Sequence, residues 1–300
     1  VDLHQPAVGG PAAAAGDRPE FLAAVESTLA LARLIETNPI RLHALTGISL
    51  ESLVYSNLRH WVRSPDFHPE WIPELQQVLD RQQAPLRPDL VMEAWHLEER
   101  LEVARFFSVP ANIRFGSYSG PYIAMTSTGF GGPPTDRLNL GSYSRNSRAV
   151  DDLFRAIAPS TTREPSARTG FSPAADASFL GLVAPTRVAL TTALVPFDRT
   201  IAERRGLSLL LALERFRASH GDYPPTLAAL TPADLPTLPL DPWSGASFIY
   251  RKLDPSTDPD LRRFTLYSVG PDGKDDGGQG IQAAAAFLPG PDVVVNDPNE

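Results

Sequence analysis

Three aspartates, Asp272, Asp275 and Asp276, stand within five residues of one another, punctuated by Gly270, Gly273, Gly277 and Gly278. Carboxylates at that density repel unless something offsets their charge. A hard cation such as calcium is one such partner. It takes six to eight oxygens, some of them backbone carbonyls, and glycines let a chain wrap tightly enough to present them. The same Asp-Gly pairs also make ordinary turns with no ion at all. The 12-residue EF-hand pattern with its closing Glu is absent.

No other motif is complete. Residues 116–120 read GSYSG, with Tyr118 where a nucleophile elbow requires serine. Gly129, Gly131 and Gly132 lack the Lys-Ser/Thr that a phosphate loop needs before its helix. His96 and Glu99 share a helix face without forming HExxH, and His60 and His68 have no partner at ligand spacing. These patterns predict neither a catalytic triad, whether through Ser119 or Ser142, nor a zinc site.

The elements that would position the acidic loop follow from periodicity. Apolar residues recur at helical spacing over Phe21–Ile35, Leu45–Val62, Trp71–Leu79 and Val91–Phe106, with Pro-containing links between them. Four antiparallel helices of this kind predict a small bundle with Trp61, Trp71 and Trp95 in its core. From 109 the pattern gives way to Gly, Ser, Pro and Tyr, interrupted by one short helix over 148–157. A helical region then runs over 185–220, with Pro196 as a kink and Gly221 as its left-handed end. Its Leu209, Leu213 and Phe216 face should cover strands at 247–252 and 263–268, and a third strand at 292–295 closes the chain. The expected fold is therefore α+β. The units are a tether (1–16), a helical bundle (17–108), an irregular middle (109–184) and a helix-plus-sheet domain (185–300).

Composition narrows the function classes. The chain has 300 residues, 42% of them hydrophobic, which is ample for real cores. Net charge is −8 with no basic stripe, so a nucleic-acid partner is not expected. There is no Cys, hence no disulfide or thiolate site. No apolar run of about 18 residues is present, so this stretch is not expected to enter a membrane. An N-terminal anchor before Val1 is expected.

Residues 212–224 (ALERFRASHGDYP), 241–245 (DPWSG) and 266–273 (LYSVGPDG) resemble, in order, three signature segments of the globular head of the type II secretion major pseudopilin. The whole chain is also similar to a family of planctomycete proteins with a helical first half and no assigned activity. The pseudopilin resemblance implies a long helix on a small antiparallel sheet and a calcium-binding loop. In it Asp272 would supply a side-chain ligand and Val269 a carbonyl. Asp276 and Asp292 are further candidates, Asp292 matching the aspartate of the family's closing Asp-Ile pair. The apolar filament helix of a pseudopilin is replaced here by the bundle. The expected role is a non-enzymatic protein of the cell envelope or periplasm, with protein partners in a secretion- or pilus-related assembly. Two other readings remain open: an enzyme whose Tyr118, Tyr122, Ser142 and Arg145 converge on His96, or a carbohydrate-binding surface built from aromatics of 115–145.

Overall fold

The computed structural model describes residues 18–38, 40–64, 67–83, 85–108, 142–168, 190, 192–254, 256, 263–278 and 292–296. The architecture over these residues is α+β, as the periodicity implies: six α-helices and one three-stranded antiparallel sheet.

Helix α1 (Arg18–Glu36) buries Val25, Leu29 and Ala32, successive members of one helical stripe. It packs on α2 (Arg41–Arg63), and the two backbones nearly touch at Gly47. A Cβ there would lie 2.5 Å from the Glu36 Cγ and 2.6 Å from the Ala32 carbonyl oxygen. Glycine is required by that close approach. Ser64, extended ahead of proline, ends α2 by donating its N–H to the Trp61 carbonyl at 2.9 Å. A 3-10 turn (Pro69–Trp71) leads into α3 (Ile72–Gln82), whose Ile72, Leu75, Val78 and Leu79 are all buried. Trp61 stacks on Trp71 at 6.0 Å between centroids and meets Phe21 at 4.8 Å, so aromatic packing closes this end of the three helices.

Helix α4 (Pro88–Ser108) pairs chiefly with α5 (Tyr143–Thr161). The latter extends beyond the expected 148–157 at both ends. Its start is set by Ser142, whose Oγ accepts the Arg145 N–H at 3.3 Å. Val91, Met92, Trp95, Val103, Val150, Phe154 and Ile157 form a second core with Ala44 and Ile48 of α2. The place beside α1–α3 is taken instead by α6 (Val195–His220).

Pro196 does not kink this helix. It lies in the first turn, where a missing N–H costs nothing. Gly221 ends the helix at φ 82°, its N–H bonded to the Arg217 carbonyl at 2.8 Å. Six apolar residues in seven positions, Leu207 and Leu209–Leu213 with only Ser208 between them, leave almost no polar side to the middle of α6, and all six are buried. The expected sheet-facing stripe is present in Leu209 and Leu213, with Phe216 partly buried at its end. Leu207, Leu210 and Leu211 are buried as well, because the same core contains residues of α1, α2, α3 and the sheet.

The sheet order is β1 (Ile249–Lys252), β2 (Phe264–Ser268), β3 (Val293–Val294), antiparallel throughout. Its register places Ile249 opposite Tyr267 and Val294 on the other side of Tyr267. Helix and sheet approach closely at Gly206, where a Cβ would sit 2.6 Å from the Val295 Cγ2. The expected boundaries after 108 and 184 fall at or within stretches outside the described residues, and one hydrophobic core runs from α1 to Val295.

A polar cluster lies inside the α1–α2–α6 contact. Glu51 accepts from Arg204 Nη2 at 2.7 Å and from the Tyr55 hydroxyl, while Ser52 donates to Glu203 at 2.7 Å. Glu36 joins this cluster, and burial, a hydrogen bond with Glu51 and the Glu51 charge push its pKa up to about 8. Arg204 and Arg33 oppose that rise. Its Oε1 is buried with no partner among the described residues.

Two outcomes are expected. Leu213→Ala should cost about 2–5 kcal/mol in a denaturant titration, since the leucine is fully buried where the helices and the sheet meet. Glu36 binds its proton more tightly folded than unfolded, so it contributes a loss of stability as pH rises from 4.5 to about 8. Against wild type, Glu36→Gln should gain stability progressively across that window and level off above it. A stability difference independent of pH would show that Glu36 titrates normally.

Candidate functional site

The acidic loop is held from below by a residue that its own sequence does not contain. Asp241 begins a tight turn closed by its carbonyl and the Gly245 N–H at 2.9 Å, with Gly245 at φ 69°. A bridge between Leu240 and Ser247 leads the turn into β1. The Asp241 side chain is completely buried. Its Oδ1 accepts the Ser268 hydroxyl at 2.8 Å and the Trp243 N–H at 2.9 Å; its Oδ2 accepts the Val269 N–H at 3.0 Å. A carboxylate with three such donors is fully compensated for its burial. It pins the end of β2 and so sets where the loop leaves the sheet.

The loop then makes two turns. In the first, the Gly273 N–H reaches the Gly270 carbonyl at 3.2 Å and the Asp272 Oδ1 accepts the Lys274 N–H at 3.0 Å. Asp272 is exposed. In the second, the Asp275 Oδ1 accepts the Gly277 N–H and the Tyr267 hydroxyl, both at 2.9 Å, which holds its pKa below the usual carboxylate range. Gly278, at φ 78°, is needed for a second reason: a Cβ there would lie 3.1 Å from the Tyr267 ring.

This geometry delivers the Gly278 N–H to the Asp292 Oδ2 at 2.7 Å. The Asp276 backbone N–H lies near enough to favour the charged form of the same carboxylate. Asp292, just before β3, is 1% exposed, and its Oδ1 has no hydrogen-bond partner among the described residues. Burial pushes its pKa up; the two N–H groups pull it down, and the charges of Asp275 and Asp276 add to the rise. A buried carboxylate oxygen left without a donor is costly, and two nearby like charges add to that cost.

The residues expected from sequence therefore separate into two groups. Asp276 lies close enough to Asp292 for its charge and its N–H to act on that carboxylate, and Val269 lies buried at the root of the loop. The Asp272 carboxylate is turned onto its own loop. Among the described residues, no three His, Asp or Glu side chains gather closely enough to hold a metal by side chains alone. An ion here would depend on backbone carbonyls and on few carboxylates, foremost Asp292. That donor chemistry, all oxygen and partly main-chain, fits calcium.

Elsewhere, His96 bonds to Asp151 of α5 at 2.8 Å and stacks on Phe154 at 4.9 Å, which locks α4 to α5. Ser142 meets Ser144 and the Arg145 N–H rather than a histidine. Glu99 is buried and accepts from the Trp95 ring N–H at 2.9 Å. Tyr118, Ser119, Tyr122 and Gly129, Gly131 and Gly132 lie outside the described residues. Sequence reading passed over Asp241 and also Asn296. The Asn296 Oδ1 accepts the Leu266 N–H at 2.8 Å, and its Nδ2 donates to the Phe264 carbonyl, continuing β3 with a side chain. The one available signal for Asp241 was its place at the head of an Asp-Pro turn.

Asp241→Ala should leave the Ser268 hydroxyl and the Val269 and Trp243 N–H groups without an acceptor. At about 1–3 kcal/mol for each buried unsatisfied group, the midpoint of denaturant unfolding should fall markedly. Asp241→Asn, which keeps one carbonyl acceptor, should fall less. Equal losses for the two would mean that the hydrogen bonds contribute little.

Compared with protein-family models, with curated proteins and with solved structures, the chain matches none.

Proposed function

We propose that this chain is a non-enzymatic structural or interaction protein of the cell envelope, whose C-terminal helix and sheet display a calcium-stabilised loop to a protein partner. The observation that carries the reading is Asp292: a buried carboxylate oxygen with no donor among the described residues, beside Asp275 and Asp276, next to a loop with four glycines at positive φ. A cation satisfies the orphan oxygen and the like-charge repulsion together. Ordering of the pseudopilin-like segments in sequence adds support for the same location. Among the described residues no helix is long and apolar enough to cross a membrane.

Calcium that binds the folded loop must stabilise it by mass action, about 2.7 kcal/mol when the free ion is a hundredfold above its dissociation constant. The melting temperature should rise in millimolar calcium and return on chelation. Magnesium should do little, because it keeps its waters and demands a tighter octahedral shell. Asp292→Asn separates the two states of the site. Without calcium it should be as stable as wild type or more so, because a buried charge is gone; with calcium it should lose most of the shift. Asp272→Ala should reduce the shift as well if its side chain turns inward to the ion. No shift in wild type would reduce the loop to a pair of turns. Fractionation of cells carrying the tagged full-length gene should recover the protein with the envelope or periplasm, and recovery in the cytosol would overturn the assigned location.

A further inference from the structure

A surface helix of a small protein carries one apolar stripe, turned to the core. Helix α4 carries two. One holds Val91, Met92, Trp95, Val103 and Phe106, which are buried. The other holds Leu90, Ala94, Leu97, Leu101 and Ala104, which follow one another at alternating intervals of four and three residues. Those intervals are the a/d repeat of a coiled-coil seam, which keeps one side of a helix turned to a partner helix. Here that side faces water: Leu97 is 61% exposed and Leu101 69%. Four charges flank the seam in pairs seven residues apart, Glu93 with Arg100 along one flank and Glu98 with Arg105 along the other. All four are exposed. The ion pairs that the two arginines make within the chain are long, 3.7 Å from Arg100 to Asp151 and 3.8 Å from Arg105 to Glu102.

We propose that this face of α4 binds the same face of a second copy of the chain, the two helices antiparallel, with Leu97 on Leu101 of the second copy and Ala94 on its Ala104. The flanking charges decide both the occupant and the direction. In a symmetric antiparallel pair each flank meets the same flank of the other helix. Glu93 then faces Arg100 of the second copy and Glu98 faces its Arg105, and twofold symmetry makes each of these pairs twice. In a parallel pair each flank meets the opposite one. Glu93 would face Glu98 and Arg100 would face Arg105, so every flanking contact would join like charges. A partner helix of a single charge sign would meet repulsion along each flank in either direction. The two alanines let the backbones approach closely. One helix face makes a small interface, which belongs with weak and reversible association. None of these residues is part of the acidic loop, and the assignment does not depend on calcium.

Analytical ultracentrifugation of the full chain, from about 10 μM to about 1 mM, should show a reversible monomer–dimer equilibrium. Leu101→Glu buries an unpaired carboxylate in the seam and should weaken association about tenfold or more. Its melting temperature in dilute solution should match wild type, because the side chain is exposed in the single chain. Glu98→Arg and Arg105→Glu should each weaken association about tenfold, since either change turns both symmetric pairs on that flank from attractive to repulsive. Mixed in equal amounts, these two variants should associate as wild type does, because each then offers the charge the other lacks. A chain that stays monomeric throughout the range would overturn the proposal, as would a dimer undisturbed by Leu101→Glu. Tighter association in Glu98→Arg would mark a parallel pair and overturn the direction. A mixture no better than its separate components would show that the flanks do not meet.

Discussion

The burial of α6 around its middle is the constraint on which the rest of the structure depends. A helix with leucines at 207, 209, 210, 211 and 213 has no polar side there to give to water. It must be enclosed. The sheet covers one side, with Phe248, Phe264 and Leu266; α1, α2 and α3 cover another, with Tyr55, Leu58, Leu75 and Leu79. Neither layer can be removed without exposing the other's partner. Two glycines show how tightly the enclosure closes: Gly206 admits Val295 onto α6, and Gly47 admits α1 onto α2. At interior packing densities a single added methyl group at either place would force a backbone to move.

Charge inside this enclosure is handled in two ways. Some polar groups are paired across elements: Arg204 of α6 bonds to Glu51 of α2, and Arg168 reaches Asp198 Oδ2. Elsewhere a carboxylate oxygen has no partner among the described residues: Glu36 Oε1, Asp198 Oδ1 and Asp292 Oδ1. These three places differ in surroundings. Glu36 responds by keeping its proton to about pH 8 beside Glu51. Asp198 opens on an arginine-lined cleft. Asp292 sits under a glycine loop with two more carboxylates close by. A buried carboxylate oxygen that lacks a donor is expensive.

Asp241 and Asp292 make the contrast within one small region. Both are buried acids that receive loop N–H groups, and both lie beside a strand that borders the loop. Asp241 meets three protein donors and is complete, which makes it a structural pin. Asp292 accepts the Gly278 N–H on one oxygen, and the other has no partner among the described residues. Equivalent chemistry is thus complete in one position and leaves an oxygen unmatched among the described residues in the other. The distinction lies in donor count, which no motif displays.

Local physics made a good part of this protein legible from its sequence alone. The apolar stripes of α1, α2 and α3, the glycine that ends α6, the strand positions and the turning of the chain at its Asp-Gly pairs all follow from interactions between residues a few positions apart. The α+β class follows from their order. Tertiary structure decided the rest. Whether α4 completes a bundle with α1–α3 or leaves for α5 depends on which faces fit once α6 competes for the same surface, and periodicity is blind to partners. Pro196 looks the same in sequence whether it interrupts a helix or begins one; the start at Val195 made it harmless. By resemblance Asp272 was the first candidate side-chain ligand, with Asp276 and Asp292 behind it. Folding turned the first onto its own backbone, left the second exposed, and buried the third with an oxygen unmatched. The Asp272 contact is local, two residues away, but the burial of Asp292 against Gly278 joins residues 14 apart and the pinning of Val269 by Asp241 residues 28 apart, and such pairings arise only when the core brings the strands together.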